Sequence, residues 1–330
     1  MFYSSHKAQS LQSATNLYTE FLELSTKHSS PTPTKVLRKI GDWHKHSDSK
    51  MTKCQKYNCL IEGGIAEEGD LILFIDKDII NYKTPPAKKK GEIWAFSSKE
   101  PQSHLNTEVA SNWNGMFNYS STYLRDSAGS KYNFRRSIIR KKVPTNTSFA
   151  VKREKIGLHS RALWFVSHCT QDNRFPVLSA RAEYVKDLAK HFPIDVYTRH
   201  DACKQQLQGL VKSDNNQEPA LGQYSFYLAF ENNLCKDYIS EKFWKVLKED
   251  VLTIPIVLGG TSIKEYEYIA PPHSFIHVKN FSSPLDLANH LRFVLSNDEA
   301  FNYYHEWRNN FVTYRQSELS RWLIKWLLTY

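Results

Sequence analysis

The sequence contains few glycines, and it has no long apolar run. Only 12 of its 330 residues are glycine, and none forms a P-loop or a G-x-G-x-x-G turn, so an ATP site or a redox-cofactor site has no support. No uninterrupted apolar stretch approaches the ~18 residues of a membrane span, and residues 1–30 lack the layout of a signal peptide. We therefore expect a soluble chain, with any membrane anchor outside residues 1–330.

Cysteine is also scarce, and its spacing excludes the common structural zinc sites. The five cysteines contain no C-x-x-C pair. Cys54 and Cys59 are close enough in sequence for a tight loop bridge, whereas the odd total leaves at least one thiol unpaired or paired outside the chain. Glycosylation sequons begin at Asn118, Asn146 and Asn280. Together with the cysteines, they favour a secretory compartment.

Basic residues exceed acidic ones, 44 against 34, and the formal net charge is +10. Such a charge attracts anions, whether nucleic acid, anionic membrane or a nucleotide-type substrate. The sequence has no zinc-finger spacing, RNP-like motif or glycine-rich RNA clamp, so nucleic acid is not an expected partner. Aromatic residues make up 13% of the chain. They suit sugar binding, although burial in a core is their more common use.

The length fits two ordinary domains, and the texture of the sequence changes near residue 160. Residues 1–155 show weak periodicity, with a predicted helix at about 10–25. Short strands are predicted at Val36–Ile40, Leu71–Ile75 and Glu92–Phe96. Residues 143–160, which contain proline and many polar side chains, read as a linker.

From residue 161 onward, apolar strands alternate with amphipathic helices. Strands are predicted at Ala162–Ser167, Ile194–Thr198, Ser225–Phe230, Ile254–Leu258 and Phe275–Val278. Helices are predicted at Ser179–His191, Ser240–Glu249, from Ser283 onward, and at about 298–311 and 314–328. This alternation predicts a parallel, doubly wound sheet. Ligands of such sheets bind at the carboxyl ends of the strands.

One segment of this half has the features of an anion site. The strand that ends at Phe230 is followed by Glu231, Asn232 and a short loop, and the next helix begins near Ser240 with Lys242 in its first turn. Backbone N–H groups at a helix start favour phosphate. A lysine there opposes the helix dipole, unless an anion binds beside it. The alternative is a capped helix that carries a lysine by chance.

The segment Tyr224–Gly260 resembles the signature of the α-1,3-fucosyltransferases, glycosyltransferase family ten. Here the pattern reads Phe-Tyr-Leu-Ala-Phe-Glu-Asn, followed by Asp-Tyr-Ile-Ser-Glu-Lys and then Ile-Pro-Ile-Val-Leu-Gly-Gly. The similarity covers roughly residues 50–312 and is strongest beyond 160. Cys54-x4-Cys59 and Leu-Cys235-Lys-Asp-Tyr resemble the branch that fucosylates the innermost GlcNAc of N-glycans in invertebrates and plants.

The resemblance implies an α/β fold of GT-B type, with two Rossmann-like domains facing across a cleft. Residues 1–155 would form the acceptor-side domain, 156–312 the donor domain and 313–330 a C-terminal helix. The implied reaction is transfer of fucose from GDP-fucose, with inversion, to the 3-hydroxyl of a GlcNAc residue in a glycoprotein glycan. The implied location is the Golgi lumen, as a type II membrane protein whose anchor is not in this chain. No DxD-type motif stands where a divalent cation could bridge the diphosphate, so no obligatory metal is expected and Mn²⁺ would at most stimulate.

The resemblance also assigns donor-binding roles. Lys242 and Arg181 correspond to the family's pyrophosphate-binding cations, although Arg181 could also be an ordinary surface residue. Asn232, Tyr238 and Glu241 correspond to other donor-site residues, and Glu241 would face the fucose as positive charge develops on it. Ser167 and Tyr197, at predicted strand ends, are candidate nucleotide contacts.

The assigned base lies in an altered motif. The family places an acidic residue in a Glu-Ser-Pro-like motif after a Trp-bearing strand, and Glu100 is the only carboxylate at that place here. Glu100 could instead be a surface loop residue. Ala128 stands where the family usually has a second aspartate. These departures leave two alternatives open: a catalytically impaired relative that binds nucleotide sugar or glycan without turnover, and another nucleotide-sugar transferase of similar architecture.

Overall fold

A computed structural model describes most of the chain between residues 34 and 313. The described residues are 34–39, 50–54, 57–63, 71–101, 107–127, 138–140, 150, 158–169, 180–212, 219–248 and 251–313. The predicted helices at 10–25 and 314–328 and nearly all of the predicted linker lie outside these residues. In the first three strands only the backbone is described, so the side chains of Cys54 and Cys59 lie outside as well.

The chain divides into two compact units. The first comprises Met1–Ser97, Glu108–Tyr119 and Glu318–Tyr330, and the second comprises Ser98–Thr107 and Ser120–Ser317. The candidate base Glu100 therefore belongs to the same unit as the predicted donor residues. The predicted domain bounds, 1–155, 156–312 and 313–330, do not coincide with this division and stay a prediction.

The first sheet has six strands in the order β2-β3-β1-β4-β5-β6. These strands are β1 Thr34–Lys39, β2 Lys50–Cys54, β3 Tyr57–Gly63, β4 Leu71–Ile75, β5 Ile93–Ser97 and β6 Tyr119–Ser121. The pairs β1–β3, β1–β4 and β4–β5 are parallel, and β2–β3 is antiparallel. Phe74 packs against Trp94 and Trp113, with ring centroids 4.8 and 5.1 Å away.

The second sheet has five parallel strands in the order β12-β11-β10-β8-β9. They are β8 His159–Phe165, β9 Ile194–Tyr197, β10 Tyr224–Phe230, β11 Ile254–Leu258 and β12 Ile276–His277. Every residue of β10 is buried, as expected of a central parallel strand covered on both faces. The α/β class with two Rossmann-like sheets is thus confirmed, and the facing of the two domains across a cleft stays a prediction.

Helices connect these strands. They are α1 Asp76–Tyr82, α2 Thr107–Asn112, α3 Arg181–Ala189, α4 Asp201–Gln206, α5 Glu241–Lys248, α6 Ile263–Ile269, α7 Pro284–Ser296 and α8 Asp298–Tyr303. The predicted cap of α7 is confirmed, because the Ser283 side chain accepts from the Asp286 backbone N–H. The start of α6 was missed, although the pair Ser262 and Glu265 forms a capping box there.

Two predicted elements near the end of the described region are wrong in extent. The helix predicted at 298–311 is split into α8, a 3₁₀ turn at Glu306–Asn309 and strand β13 at Phe311–Thr313. Strand β13 pairs antiparallel with β7, Ile138–Arg140, so a distant pairing overrides the local helical pattern. Strand Phe275–Val278 shortens to β12, because the His277 Nδ1 accepts from the Lys279 N–H and a 3₁₀ turn follows at once.

Candidate active site

Glu231 joins the end of the central strand to the start of α5. Its backbone N–H donates to the Leu258 carbonyl at 2.8 Å, and its Oε1 accepts from the Ser240 N–H at 2.7 Å. The side chain is fully buried, and burial raises the pKa of this carboxyl against the opposing effects of Lys242 and Ser240. Glu231 therefore sets the position of the first turn of α5, although no functional role was predicted for it.

Two glycines after β11 let the loop between β10 and α5 lie close to the sheet. A Cβ on Gly259 would lie 3.2 Å from the Cγ of Glu231. A Cβ on Gly260 would lie 2.2 and 2.3 Å from the carbonyl carbon and oxygen of Leu234, which is impossible without moving the loop backbone. The glycine pair is thus required by close backbone approach.

Lys242 and Glu241 occupy the first turn of α5, as predicted. The Lys242 Nζ lies 3.2 Å from the Ser240 Oγ and 3.2 Å from the Glu241 Oε1. The Ser240 Oγ also accepts from the Lys242 backbone N–H at 3.4 Å, a long capping contact. A cation and a carboxylate therefore lie side by side at a helix N-terminus, where the backbone N–H groups favour an anion.

Arg181 begins α3 but is not an ordinary surface arginine, so that alternative is wrong. It is 2% exposed, and its guanidinium donates to the carbonyls of Phe230 at 2.8 Å and His168 at 2.6 Å. Burial lowers the pKa of Arg181 to about 10, with Glu231 opposing the shift. The residue is thus a buried cation that joins the ends of β8 and β10. Direct contact with a pyrophosphate stays a prediction.

Tyr238 and Glu100 come together across 138 residues of sequence. The Tyr238 hydroxyl donates to the Glu100 Oε2 at 3.1 Å. Tyr238 is 2% exposed, and its pKa is raised by burial and by Glu231, Glu100 and Glu241. The phenol is therefore a neutral hydrogen-bond donor. Glu100 itself is exposed, and its backbone N–H donates to the Ser98 Oγ at 3.1 Å.

Arg125 contacts the same loop, and sequence reasoning missed it. Its Nε lies 2.6 Å from the Asp237 Oδ1, its backbone N–H donates to the Asp237 Oδ2 at 3.2 Å, and its Nη2 pairs with Glu265. Asp237 has a φ of 62°, in the left-handed region. Arg125 lies three residues before Ala128, the altered aspartate position.

The remaining predicted residues are placed differently. Ser167 is exposed two residues after β8, and Asn232 is half-buried, with a buried Oδ1 that lacks a hydrogen-bond partner among the described residues. Tyr197 ends β9, and its ring packs against Phe165 at 6.0 Å. After burial itself, the Tyr197 side chain is the largest cause of the raised pKa of Tyr224. A nucleotide contact of Tyr197 stays a prediction.

A disulfide holds the loop that follows β8. Cys169 is bonded to Cys203 in α4, and among the described side chains Cys235 is a free thiol. Within the described ranges, no group of three His, Cys, Asp or Glu side chains could hold a metal ion. Of the helices that the structure describes, none is long and apolar enough to cross a membrane.

The chain is similar to known fucosyltransferases. The chain is 32% identical to glycoprotein 3-alpha-L-fucosyltransferase A of Drosophila melanogaster, over 82% of this chain and 51% of that protein. It is 28% identical to an alpha-(1,3)-fucosyltransferase of Caenorhabditis elegans, over 83% and 59%. The chain thus spans between about half and three fifths of the lengths of these two relatives.

A crystal structure of an alpha1,3-fucosyltransferase with GDP-fucose is similar at 15% identity and a TM-score of 0.48, with 93% of this chain and 94% of that chain covered. Residues 155–326 match the C-terminal domain of glycosyltransferase family 10 (fucosyltransferase), a match that covers more than half of the chain. This chain belongs to glycosyltransferase family 10, the fucosyltransferases.

Proposed function

We propose that the chain transfers fucose from GDP-fucose to the 3-hydroxyl of a GlcNAc residue in glycoprotein glycans, with inversion at the anomeric carbon. The observation that carries the proposal is the hydrogen bond from the buried Tyr238 hydroxyl to Glu100. Tyr238 lies in the loop that leads into the first turn of α5, which contains Glu241 and Lys242. The segment 238–242 thus contacts the carboxylate proposed for the acceptor, Glu100, at one end and contains the cation proposed for the donor, Lys242, at the other.

The donor half of the reaction needs compensation for the charge on the departing diphosphate. Lys242 and the N–H groups at the start of α5 supply the compensating positive charge directly. Arg181 adds positive potential from beneath the strand ends, since its buried guanidinium is held by two backbone carbonyls. Asn232 would hold the donor through its side-chain amide, and Ser167 and Tyr197 are the proposed nucleotide contacts. With cations in place, we propose that no metal is obligatory.

The acceptor half needs a base that takes the proton from the attacking hydroxyl. Glu100 is exposed, and its Oε2 accepts a hydrogen bond from the Tyr238 phenol, which orients the carboxylate. In an inverting transfer, the base acts on the face of the sugar opposite the leaving group. Glu241, exposed beside Lys242, would stabilise the positive charge that develops on the fucose.

The proposed acceptor is the innermost GlcNAc of an N-glycan, and the proposed location is the Golgi lumen. The name of the Drosophila relative, a glycoprotein 3-alpha-L-fucosyltransferase, supports this acceptor class. The Cys169–Cys203 disulfide supports a secretory compartment, because disulfides persist in oxidising environments. Any membrane attachment is proposed to come from a segment outside this chain.

The test is to incubate the protein with GDP-fucose and a core glycopeptide, and to measure by mass spectrometry the addition of one deoxyhexose. The control variant Glu100→Gln should fold but lose transfer. Binding of GDP-fucose without transfer, unchanged in Glu100→Gln, would instead support the non-catalytic relative. Competition among GDP, UDP and CMP distinguishes other nucleotide-sugar transferases. Transfer that disappears on chelation, and returns only with Mn²⁺, would contradict the metal-free proposal.

A further inference from the structure

Arg125 uses both sides of its guanidinium to join separate segments of the second unit. Its Nε pairs with Asp237, in the loop before α5, and its Nη2 pairs with Glu265, in the first turn of α6. The backbone N–H of Arg125 also donates to Asp237. A planar guanidinium held by two carboxylates has its orientation set from two directions, as a lysine ammonium would not.

The Asp237 carboxylate depends on this partner. Its side chain is 6% exposed, and a carboxylate removed from water requires a paired charge and hydrogen bonds. Its φ of 62° is disfavoured for residues other than glycine, although aspartate tolerates it better than most. The pairing with Arg125 therefore holds a buried charge and a disfavoured backbone conformation at one residue.

The conformation of Asp237 determines where Tyr238 lies, since the two residues are adjacent. The Tyr238 hydroxyl reaches Glu100, and the Tyr238 ring packs edge-on against Tyr123 at 5.2 Å. Tyr123 lies two residues before Arg125, so the same short segment contacts the Asp237–Tyr238 turn twice. Glu100 is thus oriented by a phenol whose position depends on Arg125.

We propose that Arg125 is a positioning residue for the candidate base: by anchoring Asp237, it keeps the Tyr238 hydroxyl on Glu100. The inference rests on the proposed function, in which Glu100 takes the acceptor proton. Arg125 itself touches neither substrate nor the reacting atoms in this role. It acts through Tyr238, and its loss should therefore reduce turnover more than it reduces donor binding.

The same unit offers a matched control. Arg161 on β8 pairs with Asp195 at 3.1 Å, and the side chains are 36% and 7% exposed, against 30% and 6% for Arg125 and Asp237. This second pair lies near the amino ends of the strands, away from Tyr238. Arg161→Ala therefore removes an arginine–aspartate pair of similar exposure without touching the turn that orients Glu100, although Arg161 pairs with one carboxylate and Arg125 with two.

The experiment compares Arg125→Ala, Arg125→Lys, Arg161→Ala and Tyr238→Phe in the fucosyl-transfer assay, together with the double variants that add Tyr238→Phe to either alanine variant. Thermal unfolding and GDP-fucose affinity are measured in parallel. We expect Arg125→Ala to lower kcat by about 100-fold, the scale of a misplaced catalytic group, with little change in donor affinity. Arg125→Lys should recover only part of this loss, and Arg161→Ala should keep kcat within about twofold of the wild type.

The double variants separate positioning from general stability. If Arg125 acts through Tyr238, adding Tyr238→Phe to Arg125→Ala produces little further loss, whereas its effect is undiminished on top of Arg161→Ala. Equal losses of kcat in the two alanine variants, or multiplying losses for Arg125→Ala and Tyr238→Phe, would overturn the inference alone. A folded wild type that transfers fucose to no acceptor would overturn the proposed function, and this inference with it.

Discussion

In the second sheet, buried carboxylates are paired differently at the amino ends and at the carboxyl ends of the strands. We call these two sides the amino edge and the carboxyl edge. At the amino edge, Asp195 is surrounded by Arg161 at 3.1 Å, Lys212 at 3.3 Å and the Tyr224 hydroxyl at 3.0 Å. At the carboxyl edge, the Glu231 Oε1 accepts from the Ser240 N–H, and the Oε2 has no hydrogen-bond partner among the described residues.

At both edges, some buried atoms lack a hydrogen-bond partner among the described residues: the Asn232 Oδ1 and the Arg181 Nε at the carboxyl edge, and the Asp195 Oδ1 and the Arg161 Nε at the amino edge. What differs is the ion pairing, since two cations lie beside Asp195, whereas Glu231 has no ion pair among the described residues. A buried carboxyl without an ion pair is unusual, and this difference is consistent with the proposed donor site at the carboxyl edge. Paired substitutions at the two edges can test this contrast.

The largest effect is expected from replacing Lys242 at the carboxyl edge, with Lys212 at the amino edge as the control. Lys242→Ala should lower kcat/KM for transfer by about 100- to 1,000-fold, because it removes a positive charge from the departing diphosphate. Lys212→Ala, which removes a partner of Asp195, should leave kcat/KM within about twofold. Steady-state kinetics with GDP-fucose measures both variants. Similar losses of kcat/KM in the two variants would contradict a functional difference between the edges.

The next largest effect is a steric loss of stability, expected when one glycine at each edge is replaced by alanine. Gly260→Ala should destabilise the protein by about 3 kcal/mol and weaken donor binding, because the new Cβ meets the Leu234 backbone. Gly222→Ala, before β10, should cost about 1 kcal/mol, since its Cβ meets the Val251 Cγ1 at 2.8 Å and a side chain can rotate away. Urea unfolding and GDP-fucose titration provide the measurements. Unaltered donor binding in folded Gly260→Ala would show that the loop position is not needed.

Replacing one buried carboxylate at each edge should distinguish an effect on stability from an effect on donor binding. Glu231→Ala and Asp195→Ala should both destabilise by about 2 kcal/mol, because each leaves buried partners unsatisfied. Only Glu231→Ala should also lose donor affinity, since the Ser240 N–H loses its acceptor and the start of α5 can shift. Glu231→Gln, which retains an acceptor oxygen, should recover most of that affinity. A loss of affinity in Asp195→Ala as large as in Glu231→Ala would contradict the contrast.

A final prediction concerns the pH dependence of stability, to which His277 of β12 contributes. Burial lowers the pKa of His277 to about 4, below the ordinary value of 6.5. The unfolded chain then binds the proton more tightly, so stability is full above pH 6.5 and falls as the pH drops towards 4, by up to about 1.4 kcal/mol per pH unit. His277→Asn should reduce this slope in urea unfolding between these pH values. Part of the slope should persist, because burial also lowers the pKa of His305, to about 3.

Local pattern was sufficient to predict the donor-side framework. The apolar run of β10, the amphipathic turns of α5 and the Ser283 cap of α7 are all read within a few residues, and all three are found in the structure. The position of Lys242 in the first turn of α5 follows from the same local signal. Such features depend on side-chain periodicity and capping, which are properties of neighbouring residues.

Contacts between distant residues were decided by the tertiary structure. Arg125 and Asp237 are separated by 112 residues, Tyr238 and Glu100 by 138, and Cys169 and Cys203 by 34. Local periodicity contains no information about which of these side chains meet. Arg181 shows the same limit, because its place at the start of α3 could be read from the sequence, whereas its burial against the carbonyls of Phe230 and His168 could not. The sequence by itself determined the five strands of the second sheet, the helices α3, α5 and α7 and the family signature; packing decided which charges are buried and which side chain orients Glu100.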